Sequence, residues 1–225
     1  MSSAPTPPSC RVVAAMGGTF DPVHYGHLRV ASEAAAALGV AEIRLIPAGE
    51  PVHRKPPSAS RGQRLAMLRL AVADWPALQV DDRELRRPGP SYTLDTLESL
   101  RVEHPSASIL WLVGADAFLG LPSWHNWQRL FELAHFVVLN RPGHALAEAC
   151  IPDRLAWAAP RLLRSRDELL AAPAGGIFLL SVTPQPISAS AVRERLAAGA
   201  PEAELASLLP PAVLAYIRTN RLYSR

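Results

Sequence analysis

Short apolar runs alternate with amphipathic stretches along most of this chain. Residues 11–16 (RVVAAM) form an apolar run that stops at Gly17-Gly18, the pattern of a buried strand entering a tight loop. From Tyr25 onward Leu28, Ala31, Ala35 and Leu38 recur at helical spacing, and Gly39 offers a C-terminal stop. Ile43–Pro47 predicts the next strand, followed by a proline-rich loop over 48–60. A helix from Arg61 is expected to turn Leu65, Leu68 and Val72 inward. Residues 78–81 read as a weak strand, and Thr93–Glu103 as a helix with Leu94, Leu97 and Val102 on its apolar side. Residues 108–113, 134–139 and 177–181 complete the strands, while 141–176 is rich in Ala, Leu, Pro and Arg and predicts short helices without definite bounds.

Mostly apolar strands of four to six residues, separated by helices, predict an α/β protein with a parallel sheet covered on both faces. Ligands of such sheets sit beyond the carboxyl ends of the strands, which directs attention to the loops after Met16, Pro47, Val113 and Ser181. The 225 residues fit a disordered Ser/Pro/Ala-rich tail at 1–10 and a single domain over 11–225, whose last part, 186–225, is helical. A hydrophobic share of 49% against 19% charged residues excludes a disordered chain. The formal net charge is only +3, Lys55 is the sole lysine, and the arginines are scattered, so no nucleic-acid partner is expected. No run of 18 apolar residues and no signal-peptide pattern occurs, which predicts a cytoplasmic protein without a membrane partner. Cys10 and Cys150 stand apart from any metal spacing and read as ordinary thiols.

The chemistry concentrates in GGTFDPVHYGHL, residues 17–28. Gly17 and Gly18 are expected to free the backbone and to let a phosphate approach main-chain N–H groups. Asp21-Pro22 makes a turn into the helix, whose N-terminus adds amide donors and partial positive charge. His24 and His27, three apart, share a face, and Gly26 between them removes a side chain that would obstruct a ligand. Together these features predict a triphosphate site. It is neither a GxGxxG fingerprint nor a Walker A loop, and no third ligand supports zinc. Near the end of the chain, Ser188 or Ser190 can cap a helix, and Arg193 can reach back to that helix start; a plain capped helix is the competing reading.

GGTFDPVHYGHL resembles the His-x-Gly-His signature of the nucleotidyltransferase superfamily, in the form found in nicotinate mononucleotide adenylyltransferases. The resemblance continues through PAGEPVHRK (47–55), RPGPSYTLDTL (87–97), VGADAF (113–118), LPSWHNW (121–127), LNRPG (139–143) and ISASAVRERL (187–196). It implies a Rossmann-like nucleotidyltransferase fold and adenylyl transfer from ATP to nicotinate mononucleotide, with Mg2+ brought by ATP. The same resemblance implies catalytic roles for His24, His27 and Arg193. It implies ATP contacts for Gly17, Gly18, Thr19 and Phe20, and for Gly114, Asp116, Ser188 and Ser190. For the mononucleotide it implies His53, Lys55, Tyr92, Thr93, Trp124 and Arg141, with Trp124 stacking on the pyridine ring and Trp127 in the core. Val52 stands where the family often carries a proline. Phosphopantetheine adenylyltransferases share the His motif but are shorter and lack the Ser-Tyr-Thr and Leu-Pro-Ser-Trp segments. A non-catalytic nucleic-acid-binding module is the reading from another class, and a homo-oligomer remains open.

Overall fold

The computed structural model describes residues 11–52, 56–140 and 155–224. The tail at 1–10, His53, Lys55 and Arg141 lie outside the described residues, as do both cysteines. In chain order the elements begin β1 (Val12–Gly18), α1 (Tyr25–Leu38), β2 (Ile43–Pro47), β3 (Glu50–Pro51) and α2 (Arg61–Val72). They continue with β4 (Leu78–Val80), α3 (Arg83–Arg86), β5 (Pro90–Ser91), α4 (Thr93–Glu103), β6 (Ser108–Gly114) and α5 (Ala115–Leu119). The remainder comprises α6 (Trp127–Leu133), β7 (His135–Asn140), β8 (Leu162–Leu163), α7 (Arg166–Leu170), β9 (Ile177–Ser181), α8 (Ala189–Ala197), α9 (Glu202–Leu208) and α10 (Pro211–Thr219).

Seven strands form one sheet in the order β4-β2-β1-β6-β7-β9-β8, all pairs parallel. From β1 the chain first builds outward through β2 to β4, then returns to lay β6 on the other side of β1. The order therefore reverses between β1 and β6, and ligands of such sheets bind beyond the carboxyl ends at that point. The pleat sorts the strand side chains to two cores. Ala14, Met16, Leu110 and Leu112 face one cluster with Leu28 of α1, Met67 of α2 and Val213 of α10. Val13, Ala15, Ile109 and Trp111 face the other with Leu97 of α4 and Leu130 of α6. This bears out the parallel sheet with helices on both faces and the helical C-terminal part.

Four expectations are corrected. The glycine pair is not a region of unusual backbone: β1 runs through Gly17 and Gly18, which pair with Ile46 and Pro47. A Cβ on Gly17 would sit 2.8 Å from the Trp111 ring, and one on Gly18 2.8 Å from Phe20, so close packing explains both. The left-handed conformation falls on Phe20 (φ 50°) instead. On α2 Leu68 is buried and Val72 packs against the first core as expected, but Leu65 is not part of that core, because Arg64, with interior partners, is buried beside Met67, Leu68 and Ala71. On α4 Leu94, Thr96, Leu97 and Leu100 are buried, whereas Val102 is 79% exposed. A two-stranded sheet, β3-β5, lies outside the main one, and β8 adds an edge strand within 141–176.

Candidate active site

The segment from Gly18 to Tyr25 crosses the top of β1 and turns at Asp21-Pro22 into α1. His24 is the N-cap of α1, with extended backbone, and His27 is the third residue of the helix. The two imidazoles stack with centroids 3.8 Å apart and planes 26° from parallel. The His24 amide donates to His27 Nδ1 at 3.4 Å, which favours the tautomer with its proton on Nε2, and Phe20 meets His27 edge-on at 5.0 Å. His24 is 4% exposed, and burial lowers its pKa to about 4. Its ring is therefore neutral near pH 7 and can donate a hydrogen bond without carrying charge. His24 Nδ1 has no hydrogen-bond partner among the described residues. A Cβ on Gly26 would stand 2.9 Å from that nitrogen and 3.3 Å from the Ile187 carbonyl oxygen, so the bare glycine keeps a slot open between α1 and the start of α8.

The other side of the slot is the α8 start. Ser188 is its N-cap and accepts from the Ala191 amide at 3.2 Å, whereas Ser190 accepts from Arg193 Nη2 at 3.2 Å. The segment before α8 is tied to α1 by Glu33, whose carboxylate accepts from the Thr183 amide (2.9 Å) and hydroxyl (3.0 Å). Arg193 reaches across to donate from Nη1 to the Asp21 carbonyl oxygen at 2.6 Å. His24, His27, Ser188, Ser190 and Arg193 are thus gathered at one end of the sheet, as the sequence predicts.

Two residues of this neighbourhood have roles that the sequence did not reveal. Asp21, more than a turn residue, is a buried hub that accepts from the Ser58 and Ala59 amides and the Tyr223 hydroxyl. Arg64 is 1% exposed and donates to the carbonyls of Thr19 (2.8 Å) and Gly49 (3.1 Å). Burial pulls the Arg64 pKa down while Asp21 opposes the fall. A signal for Arg64 existed: it precedes Met67, Leu68 and Ala71 at helical spacing, and a charge on that stripe must find buried partners.

Gly49 links this group to a second one. Its amide and that of Glu50 donate to Ser91 Oγ at 2.8 and 3.2 Å, beside the β3-β5 pair. Glu84, buried and pushed up in pKa by that burial, accepts from the Thr96 hydroxyl at 2.7 Å. Tyr92 is the N-cap of α4 and Thr93 opens the helix, with no side-chain cap on its first amides. The Tyr92 ring lies 4.6 Å from that of His125, which follows the half-buried Trp124. Trp124 and Trp127 both pack on the second core, and Trp127 additionally contacts Phe131 and Trp157. Gly114 and Asp116 are exposed at the end of β6, and the space around Gly114 is open. Among the described residues no group of three or more His, Cys, Asp or Glu is placed to hold a metal, and no helix is long and apolar enough to cross a membrane.

A family described as cytidylyltransferase-like matches residues 15–195. A protein of Stenotrophomonas maltophilia named a probable nicotinate-nucleotide adenylyltransferase is 50% identical over 214 residues, covering 92% of this chain and 94% of its own. One of the same name from Halorhodospira halophila is 48% identical over 204 residues, covering 90% and 91%. Among solved structures, the Plasmodium falciparum nicotinic acid mononucleotide adenylyltransferase complexed with NaAD shares the fold with a TM-score of 0.72 at 17% identity, covering 95% of this chain and 97% of that one. The chain belongs to the cytidylyltransferase-like family, among its nicotinate-nucleotide adenylyltransferases.

Proposed function

We propose that the protein transfers the adenylyl group of ATP to nicotinate mononucleotide, giving nicotinate adenine dinucleotide and pyrophosphate in NAD biosynthesis. The observation that carries this reading is the stacked His24–His27 pair facing the α8 start, in a chain about half identical to named adenylyltransferases. An ionised 5′-phosphate oxygen of the mononucleotide attacks the α-phosphorus of ATP. The bond from that phosphorus to the bridging oxygen breaks, and pyrophosphate leaves with the electron pair. The nucleophile is already charged, so no side-chain nucleophile and no proton transfer are required. Positioning and stabilisation of developing charge then carry the catalysis. In this reading His24 and His27 donate hydrogen bonds to phosphate oxygens, Arg193 supplies positive charge, and Ser188 and Ser190 shape the α8 end. Gly17, Gly18, Thr19 and Phe20 bring the backbone close to the nucleotide, with Gly114 and Asp116 bordering it. ATP enters as its Mg2+ complex, the ion held by phosphate oxygens and water.

The second group, around Tyr92, Thr93 and Trp124, suits the pyridine half. Amides at the start of α4 favour a carboxylate over a neutral amide, because charged acceptors bond more strongly and an amide NH2 would face donors unpaired. His53, Lys55 and Arg141 belong to the proposal through motif likeness alone. With a soluble substrate pair, the reaction is assigned to the cytoplasm. Pyrophosphate release with ATP tests the reading across nicotinate mononucleotide, nicotinamide mononucleotide and phosphopantetheine. Nicotinate mononucleotide is expected to lead nicotinamide mononucleotide by roughly 10²-fold in kcat/KM, with two hydrogen bonds at stake. Turnover of phosphopantetheine and of neither mononucleotide would overturn the assignment.

A further inference from the structure

We infer that the C-terminal turn is a latch, in which Tyr223 acts through Asp21 to hold Arg193 in position for the triphosphate. Helix α10 ends at Thr219, and the chain then folds back on it, with the Leu222 amide donating to the Ile217 carbonyl at 2.9 Å. Within this turn Arg221 (φ 51°) and Tyr223 (φ 61°) are both left-handed, although neither is glycine. Such backbone persists where its surroundings determine it, and here it delivers one group inward. The Tyr223 hydroxyl donates to Asp21 Oδ1 at 2.7 Å, while its ring packs on the first core. Burial, then the bond to Asp21, raises the pKa of this hydroxyl, so it stays a donor throughout the working pH range.

The path onward is short. Asp21 Oδ1 also accepts from the Ala59 amide at 3.0 Å, and Oδ2 from Ser58 at 2.7 Å, which fixes the residue from three directions. Its main-chain oxygen then accepts from Arg193 Nη1 at 2.6 Å, and its carboxylate lies 3.9 Å from the same nitrogen. Arg193 spends a second N–H on Ser190. A guanidinium has five N–H bonds, so the remainder can address a ligand while these two hold its plane. Loss of the Tyr223 hydroxyl leaves a buried carboxylate oxygen one donor short, and the residue that orients Arg193 can shift to recover it. Tyr223 and Asp21 are positioning residues; Arg193 is the group that meets substrate.

This inference rests on the adenylyl-transfer reading for its consequence, and its test separates the two. Tyr223→Phe keeps the packed ring and removes only the hydroxyl. The KM for ATP is expected to rise about five- to tenfold, the scale of one hydrogen bond, with the KM for the mononucleotide within about twofold. Calorimetric titration with inorganic triphosphate, which needs no turnover, is expected to show the same loss of affinity. In an Arg193→Ala background the Tyr223→Phe change is expected to add nothing, since a positioning effect requires the residue positioned. An equal loss in that background, a rise shared by both substrates, or unchanged triphosphate affinity would each overturn the latch. A lower melting temperature with unchanged KM for ATP and unchanged triphosphate affinity would do so as well, marking the bond as structural.

Discussion

At the scale of single residues, the most informative group is His24, a buried imidazole whose pKa falls to about 4 through burial. In the unfolded chain the same ring titrates near 6.5. Between those values the unfolded state binds the extra proton, so stability rises with pH across that window. The contribution is fully present above about pH 6.5 and disappears as pH falls to about 4, a span worth at most about 3 kcal/mol. Urea unfolding of wild type and His24→Asn at steps from pH 4 to 7 checks this. The asparagine variant should lose the part of the slope that His24 supplies, and an identical slope in both proteins would remove the buried neutral imidazole from the account. At neutral pH, His24→Ala and His27→Ala are each expected to lower kcat by ~10²-fold or more with unchanged circular dichroism, as for lost transition-state donors. That His24 and His27 share a face was legible from their spacing. The burial that sets the His24 pKa was not, because Ile187, 163 residues further along the chain, helps enclose it.

At the scale of elements, the sequence read best where an element obeyed one rule. Strands β1, β2, β6 and β7 are buried along most of their length, so each is a mainly apolar run and could be read as such, as could the half-buried β9. The two-residue strands β3, β5 and β8 carry no periodicity, since they exist only through their partners. Helix α2 was found with Leu68 and Val72 inward, but Arg64 rather than Leu65 takes the interior place at its start, where hydrophobicity favours the leucine. Gly26, at the second position of α1, separates what the helix needs from what the site needs. A Gly26→Ala change adds helix propensity worth up to about 1 kcal/mol. Its methyl group, however, would press within 2.9 Å of His24 Nδ1 and 3.3 Å of the Ile187 oxygen. Activity is expected to fall at least about tenfold, on the scale of misplaced reacting groups, while the melting temperature holds or drops only slightly. Full activity in this variant would show that the slot is not where ATP phosphates lie.

At the scale of the whole molecule, the reversal of strand order between β1 and β6 decides which loops meet, and no local pattern in the sequence encodes it. Alternating strands and helices did predict the layers, and the positions of the loops relative to the sheet followed from them. What could not be read was that Asp21, Arg193 and Tyr223, separated by 172 and 202 positions from Asp21 respectively, would form one hydrogen-bonded group. A ligand that engages the loop before α1 and the start of α8 therefore joins segments far apart in sequence, at a site that only the folded chain assembles. Its binding energy should appear almost entirely as global stability. At a free concentration about 100 times its dissociation constant, either substrate should add about 2.7 kcal/mol. For a chain of this length that corresponds to roughly 5–10 °C in melting temperature. Arg193→Ala is expected to remove most of the shift given by Mg2+-ATP and to leave the mononucleotide shift within a degree or so, on the same conversion. Thermal scans with each substrate alone, in wild type and variant at matched concentrations, make the comparison. Loss of the mononucleotide shift with an intact ATP shift would assign Arg193 to the other substrate. Equal shifts in both proteins would mean that the guanidinium, however well it is held by Asp21, touches neither.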